Sequence, residues 1–166
     1  MKTGAFIKIF PAFTGRQCPG GIMEYAFARQ TKDTRMTLDE LKKLAIDMQE
    51  KSYSPYSHFP VGAALECEDG TVFTGCNIEN ASYPAGSCAE RTAFSKAISE
   101  GKRSFRRIVI AARSEECCVP CGMCRQFMQE FAPQLEVVCV NIHGEAKSYN
   151  LADLLPHGFD GSCLRD

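Results

Sequence analysis

Cys88-Ala89-Glu90 and, further along, Pro120-Cys121-Gly122-Met123-Cys124 place three thiols and one carboxylate in two short segments. Three thiolates suit one zinc ion, and the number matters. A structural zinc is closed by four protein ligands, whereas a catalytic one keeps three and leaves a position for water. Cys88, Cys121 and Cys124 are therefore candidate ligands of a catalytic zinc, one per chain. Glu90, two residues after the first of them, is the candidate catalytic group, because water made acidic by a metal still needs a base to take its proton to the substrate. The pattern points to hydrolysis. Other readings exist: Cys121-x-x-Cys124 alone reads as a redox pair, Cys118-x-x-Cys121 has the same spacing, and Cys117 or Cys118 could close an all-thiolate structural site. Pro120, Gly122 and the upstream Cys-Ala-Glu favour the catalytic assignment.

Elements must bring these segments together. Thr37-Leu38-Asp39-Glu40 is a capping-box pattern, and Leu38, Leu41, Leu44, Ala45 and Met48 recur at helical spacing, so a helix is predicted over 38–51. Ser54-Pro55-Tyr56-Ser57 breaks it. Residues 61–67 and 71–77 read as a hairpin joined through Asp69-Gly70. A second helix is predicted from near Cys88 to just before Gly101, and an apolar strand over 108–112 follows. A third helix is predicted from near Pro120 through Phe131, a strand over 135–141, a short strand ending near Tyr149, and a brief helix capped by Asn150. Two strands followed by strands alternating with helices predict an α/β fold, a three-layer α/β/α arrangement around a mixed sheet. Both cysteine segments then sit at helix starts, where exposed N–H groups and the helix dipole favour thiolate, the form that binds metal.

With Asn77-Ile78-Glu79-Asn80, Cys88-Ala89-Glu90-Arg91-Thr92-Ala93 and Pro120-Cys121-Gly122-Met123-Cys124-Arg125-Gln126, the chain closely resembles the small zinc-dependent cytidine deaminases over residues 38–159. It is the all-cysteine version of the zinc-deaminase signature, with no His at the first ligand position. Met123 departs from it, since a smaller residue, commonly Ala, is expected there. The resemblance implies a five-stranded mixed sheet of cytidine-deaminase type and hydrolytic deamination of cytidine and deoxycytidine to the uridines in pyrimidine salvage, with Zn2+ as cofactor. It gives Arg91 the task of hydrogen-bonding the cysteine sulfurs and so tuning their charge. It also implies that Asn77 and Glu79 bind ribose hydroxyls, that Phe59 stacks on the base, that Ala81, Tyr83 and Ala89 line the pocket, and that Phe159 packs on the base from a neighbouring subunit. A homotetramer with sites completed across interfaces is implied by the same resemblance.

Composition agrees with a small-molecule enzyme. The chain has 166 residues, enough for one domain with its own core. Its formal net charge of -1 gives no overall footprint for a polyanion, so no nucleic-acid partner is expected. The basic cluster Lys102, Arg103, Arg106 and Arg107 reads as a solvated face between a helix and a strand. His58, His143 and His157 lack ligand spacing with the cysteines and read as surface residues. The deaminase domain is assigned to 36–166, and residues 1–35 to an N-terminal extension expected to be poorly ordered. The apolar stretch from Ala5 to Phe13 is interrupted by Lys8 and Pro11, too broken for a membrane span or signal peptide. A cytoplasmic location with reduced thiols is expected; a transit peptide stays open because Glu24 is the first acidic residue, although Ser is absent from the segment and Arg sparse. Several of the remaining cysteines fall in apolar strand-like segments, where they serve as small hydrophobes.

Overall fold

Thr37 opens the first helix as its side chain predicts. Its hydroxyl accepts from the Glu40 N–H while the Glu40 carboxylate accepts from the Thr37 N–H, and the helix α1 runs over Leu38–Gln49 with Leu41 and Ala45 buried. This computed structural model describes residues 35–164. The assignment of 1–35 as an extension lies outside the described residues, apart from Arg35. Among the described residues no helix is long and apolar enough to cross a membrane.

Strand β1 (Val61–Cys67) turns through Gly70, at φ 83°, into β2 (Val72–Cys76), and the two pair antiparallel as the Asp-Gly turn predicts. Helix α2 (Ala89–Ser99) ends two residues before Gly101, whose φ of 86° suits a glycine stop. Strand β3 (Phe105–Ala112) pairs antiparallel with β1 and parallel with β4 (Glu136–Val140), reached through helix α3 (Gly122–Phe131). Strand β5 (Ala146–Asn150) pairs antiparallel with β4, and Asn150 caps helix α4 (Leu151–Leu154) by accepting from the Ala152 N–H. The order β2-β1-β3-β4-β5 is the expected five-stranded mixed sheet.

Alternation along the strands separates two cores. Ala63, Leu65, Ile108, Ile110, Val137 and Cys139 face α2 and α3, where Phe94 stacks against Phe105 at 4.7 Å between ring centroids. Ala64, Val109, Ala111, Val138 and Val140 belong to the opposite core with Leu41 and Ala45 of α1. Cys67 and Cys139 are buried strand thiols, and burial pushes them up to about 11 and about 12, so they pack as neutral hydrophobes.

Strand β3 begins three residues before the apolar run that predicted it, and the basic cluster divides: Lys102 and the exposed Arg103 lie between α2 and β3 as its composition suggested, whereas Arg106 and Arg107 do not. Arg106 and Arg107 lie inside the strand, where Arg107 Nε stands 3.1 Å from the fully buried Glu66 carboxylate and 3.5 Å from Glu136, on the strands either side. Lys102 pairs with Asp69 at 2.5 Å, and Arg103 donates to the Ile98 and Lys102 carbonyls. Cross-strand pairing lets charged residues occupy a sheet that a hydropathy pattern excludes. The three histidines are exposed as expected.

The position of α2, and with it of Cys88 and Glu90, is set by glycine packed against helix. A methyl group on Gly75 of β2 would collide with the Ala89 carbonyl of α2 and stand 2.6 Å from the Ala93 N–H. Ala89, Ala93 and Ala97 are fully buried on that face, so helix and strand meet backbone to backbone. Gly75→Ala is expected to destabilise the fold by about 1–3 kcal/mol by overpacking, seen as a lower denaturant midpoint at constant m-value.

Candidate active site

Cys88 and Cys121 each occupy the N-cap position of a helix, α2 and α3, and Cys124 lies in the first turn of α3. Two helix N-termini thus converge on the thiols. The sulfurs of Cys88, Cys121 and Cys124 all lie within 4.8 Å of one another, with Cys88 and Cys121 4.0 Å apart. A tetrahedral zinc with bonds of about 2.3 Å to sulfur spaces its sulfurs roughly 3.8 Å apart, so the donor set fits that ion in chemistry and spacing. Among the described residues this is the one group of His, Cys, Asp or Glu side chains so gathered. Neither Cys117 nor Cys118 joins it: Cys117 Sγ lies 3.6 Å from the Glu145 carbonyl and Cys118 Sγ 3.6 Å from the Glu116 carbonyl. The fourth thiolate that a closed structural site requires is not supplied.

The surroundings favour thiolate at the mouth of the group. Cys88 is drawn down to about 5, first by a hydrogen bond from the Cys124 thiol, against burial, and further by Arg91 and Cys121. Cys124 is raised by that same bond, then by burial and by Glu90. Burial opposes the Arg91 charge, yet its bond to and attraction by Cys88 outweigh that and lift its pKa. Arg91 also donates to the Gly86 carbonyl at 2.9 Å, which holds it across the start of α2. Glu90 is 5% exposed, and burial pushes it up to about 7, with the Cys88 charge adding to the rise. A carboxyl of this kind can hold or release a proton near neutral pH.

A cavity of about 430 Å3 opens onto these groups, lined by Cys88, Ala89, Glu90 and Cys121 together with Phe59, Asn77 and Glu79. Asn77 and Glu79 face it together because the chain after β2 stays extended. Ile78 exchanges hydrogen bonds with Ser87, while Tyr53 bonds the Asn77 carbonyl and the Glu79 N–H, so residues 77 and 79 share one side. Tyr83 lines an adjoining cavity of about 440 Å3 with Met123, Arg91 and Cys88. Ala81 and Phe159 line neither cavity. Phe159 is 57% exposed, its backbone held on α3 by two bonds with the Gln126 side chain, at 2.6 and 3.0 Å. Sequence reasoning missed Ser57, Val61, Ile110, Ala112, Cys118 and Val119 in the cavity wall. Strand ends and turn residues carry no chemical signature of their own, and only the position of Cys118 and Val119 just before Pro120-Cys121 pointed to them.

Such a site, at one end of a three-layer sheet, defines a zinc-binding hydrolase. The described fold agrees: a crystal structure of cytidine deaminase from Burkholderia pseudomallei superposes with a TM-score of 0.73 at 46% identity, covering 75% of this chain and all of that one. The model of the cytidine and deoxycytidylate deaminase zinc-binding region matches residues 36–141, and the chain belongs to that family. Among its relatives, cytidine deaminase of Sporosarcina psychrophila is 46% identical over 128 residues, 76% of this chain and 91% of that protein. That of Halalkalibacterium halodurans is 45% identical over 127 residues, 76% and 96% of the two.

The geometry separates the gathered thiols from the outlying ones. Cys121→Ala is expected to lower zinc from about one per chain to well below half, and Cys118→Ala to leave it near one, as read by elemental analysis of purified protein.

Proposed function

We propose that this chain hydrolyses cytidine and deoxycytidine to uridine and deoxyuridine with release of ammonia, using Cys88, Cys121 and Cys124 as the zinc ligands, Glu90 as the proton shuttle and Arg91 as the tuner of thiolate charge. The observation that carries this reading is Glu90, buried in the first turn of the helix whose N-cap is Cys88 and lining the same cavity as Cys88 and Cys121. Zinc held by the three thiolates supplies the Lewis acidity that makes water an adequate nucleophile near neutral pH. Glu90 takes a proton from the attacking water and gives it to ring N3, which makes C4 electrophilic. The water oxygen adds to C4, and a second transfer through Glu90 carries the proton of the new C4 hydroxyl to the 4-amino group, so that the C4–N bond breaks, ammonia leaves and C4 keeps its oxygen as a carbonyl. Arg91 offsets part of the negative charge of three thiolates, which would otherwise weaken the acidity of the site.

The sugar side has its own support in hydrogen-bond capacity. The Asn77 amide oxygen accepts from the Ser52 hydroxyl and the Val61 N–H, and one of its two N–H donors serves the Phe59 carbonyl. The Glu79 carboxylate accepts from the Tyr56 and Ser57 N–H groups and from the Ser57 hydroxyl. What remains is one donor on Asn77 and one acceptor site on Glu79. A sugar hydroxyl, which donates and accepts, satisfies both. Phe59, 38% exposed beside them, gives the base an aromatic face, and Ala89 gives it a small buried wall; Ala81 and Tyr83 complete the pocket, and Phe159 packs on the base from a neighbouring subunit.

We assign the enzyme domain to 36–166, in a homotetramer of the cytoplasmic pyrimidine salvage type. Exposed Tyr56, Ile78, Tyr83, Met123 and Phe159 give the cavity region an apolar surface that other chains would cover. A protein of residues 36–166 alone is expected to sediment as four chains and to turn over cytidine within about twofold of the full chain; a monomeric or inactive soluble product contradicts the assignment. Glu90→Ala is expected to keep its zinc and to lose at least about 10³-fold in kcat by ultraviolet-monitored turnover, and substantial residual activity contradicts the shuttle role.

A further inference from the structure

Between α1 and β1 the chain makes a turn whose backbone is unusual. His58 has φ 54°, the only non-glycine among the described residues with a positive φ. Non-glycine residues enter this region rarely and at a cost, so the surroundings must hold it there. Three groups do so. The His58 N–H donates to the Ser54 carbonyl at 3.1 Å, the Asn77 side chain holds the Phe59 carbonyl at 2.9 Å, and Glu79 holds the N–H groups of Tyr56 and Ser57 at 2.9 and 3.2 Å. Ser57 sits at the centre of these ties. Its hydroxyl donates to Glu79 Oε1 and accepts from the Phe59 N–H at 3.1 Å, so one oxygen joins the carboxylate facing the sugar side to the residue facing the base.

We infer that Ser57 is a positioning residue for substrate recognition: its hydroxyl fixes the Glu79 carboxylate in the rotamer that presents its last free acceptor site to a sugar hydroxyl. The backbone bonds from Tyr56 and Ser57 both fall on Oε2, which anchors one oxygen and leaves Oε1 free to swing. The Ser57 hydroxyl is the only described partner of Oε1, and Ser57, Asn77 and Glu79 line the same cavity. Removing that hydroxyl leaves the charge and its anchor intact while freeing the oxygen that meets the substrate. The Ser57 bond is also the largest influence lowering the Glu79 pKa, in keeping with an ionised acceptor. This inference rests on the reading of Asn77 and Glu79 as the sugar-binding pair.

The test uses full-length, zinc-loaded protein and three substrates: cytidine, deoxycytidine and 2′,3′-dideoxycytidine, the last of which offers Glu79 no ring hydroxyl. Ser57→Ala is expected to lower kcat/KM for the first two about tenfold, with the loss carried by KM, and for the third by no more than about twofold. Ser57→Thr keeps a hydroxyl and is expected to recover most of the loss. An equal loss on all three substrates marks a general defect of the turn and overturns the inference, as does no loss at all or a Thr variant no better than Ala. Wild-type protein inactive on every substrate removes the functional reading and this inference with it, whereas an active wild type with any of the overturning variant results removes the inference alone.

Discussion

Three sulfurs within 4.8 Å of one another are the constraint on which the rest of the structure depends. As thiolates they repel, and a half-buried setting weakens the solvent screening that would relieve them. The fold answers with positive potential from three directions: the N-terminus of α2 at Cys88, the N-terminus of α3 at Cys121 and Cys124, and the Arg91 guanidinium beside Cys88. A divalent cation completes the balance, and its binding free energy becomes part of the stability of the folded state. Burial above all raises the Glu90 carboxyl, and the same field acts on it, the Cys88 charge adding to the rise while Arg91 opposes it.

Convergence of two helix starts requires close packing behind them. Helix α2 lies on the sheet through Ala89, Ala93 and Ala97 and meets Gly75 of β2 at backbone contact, so Cys88 and Glu90 are carried deep toward the sheet end. On the other side, Arg125 of α3 donates to the Pro120 carbonyl at 2.6 Å and to the Leu154 carbonyl at 2.9 Å, tying the approach to Cys121 to α4. The far wall of the cavity is built differently, on a turn whose positive-φ residue is held by side chains reaching from the strand end. The sulfur cluster therefore rests on packing, and the Asn77 and Glu79 side of the cavity on a network of hydrogen bonds.

Much of this was legible in the residues alone. Cys88, Glu90, Cys121 and Cys124 announce themselves because metal chemistry admits few residue types at few spacings, and the structure gathers the three sulfurs, with Glu90 lining the cavity that Cys88 and Cys121 border. Element positions were also readable: β1 agrees residue for residue, and α1 and α2 begin and end within two residues of their caps and stops, since capping and turn chemistry are local. The start of β3 was not, because Arg106 and Arg107 belong in a strand only when Glu66 and Glu136 stand on its neighbours. The tasks proposed for Phe59, Asn77 and Glu79 came from resemblance rather than from the residue types, each of which has an ordinary structural use.

What the sequence determined by itself was the chemistry: three soft donors, one carboxylate and the helix starts that activate them, all encoded within a few neighbouring positions. Tertiary structure gathered three of the sulfurs and left Cys117 and Cys118 apart, and it alone decided which polar groups stay free. Cys118 matches Cys121 in spacing as well as Cys124 does, yet it lies outside the sulfur cluster because the chain enters α3 only after Cys121. Asn77 and Glu79 spend all but one donor and one acceptor on a turn some twenty residues earlier, and that arithmetic exists only once the turn is folded against them. Local spacing specifies what a residue can do, and long-range contact specifies what is left for it to do.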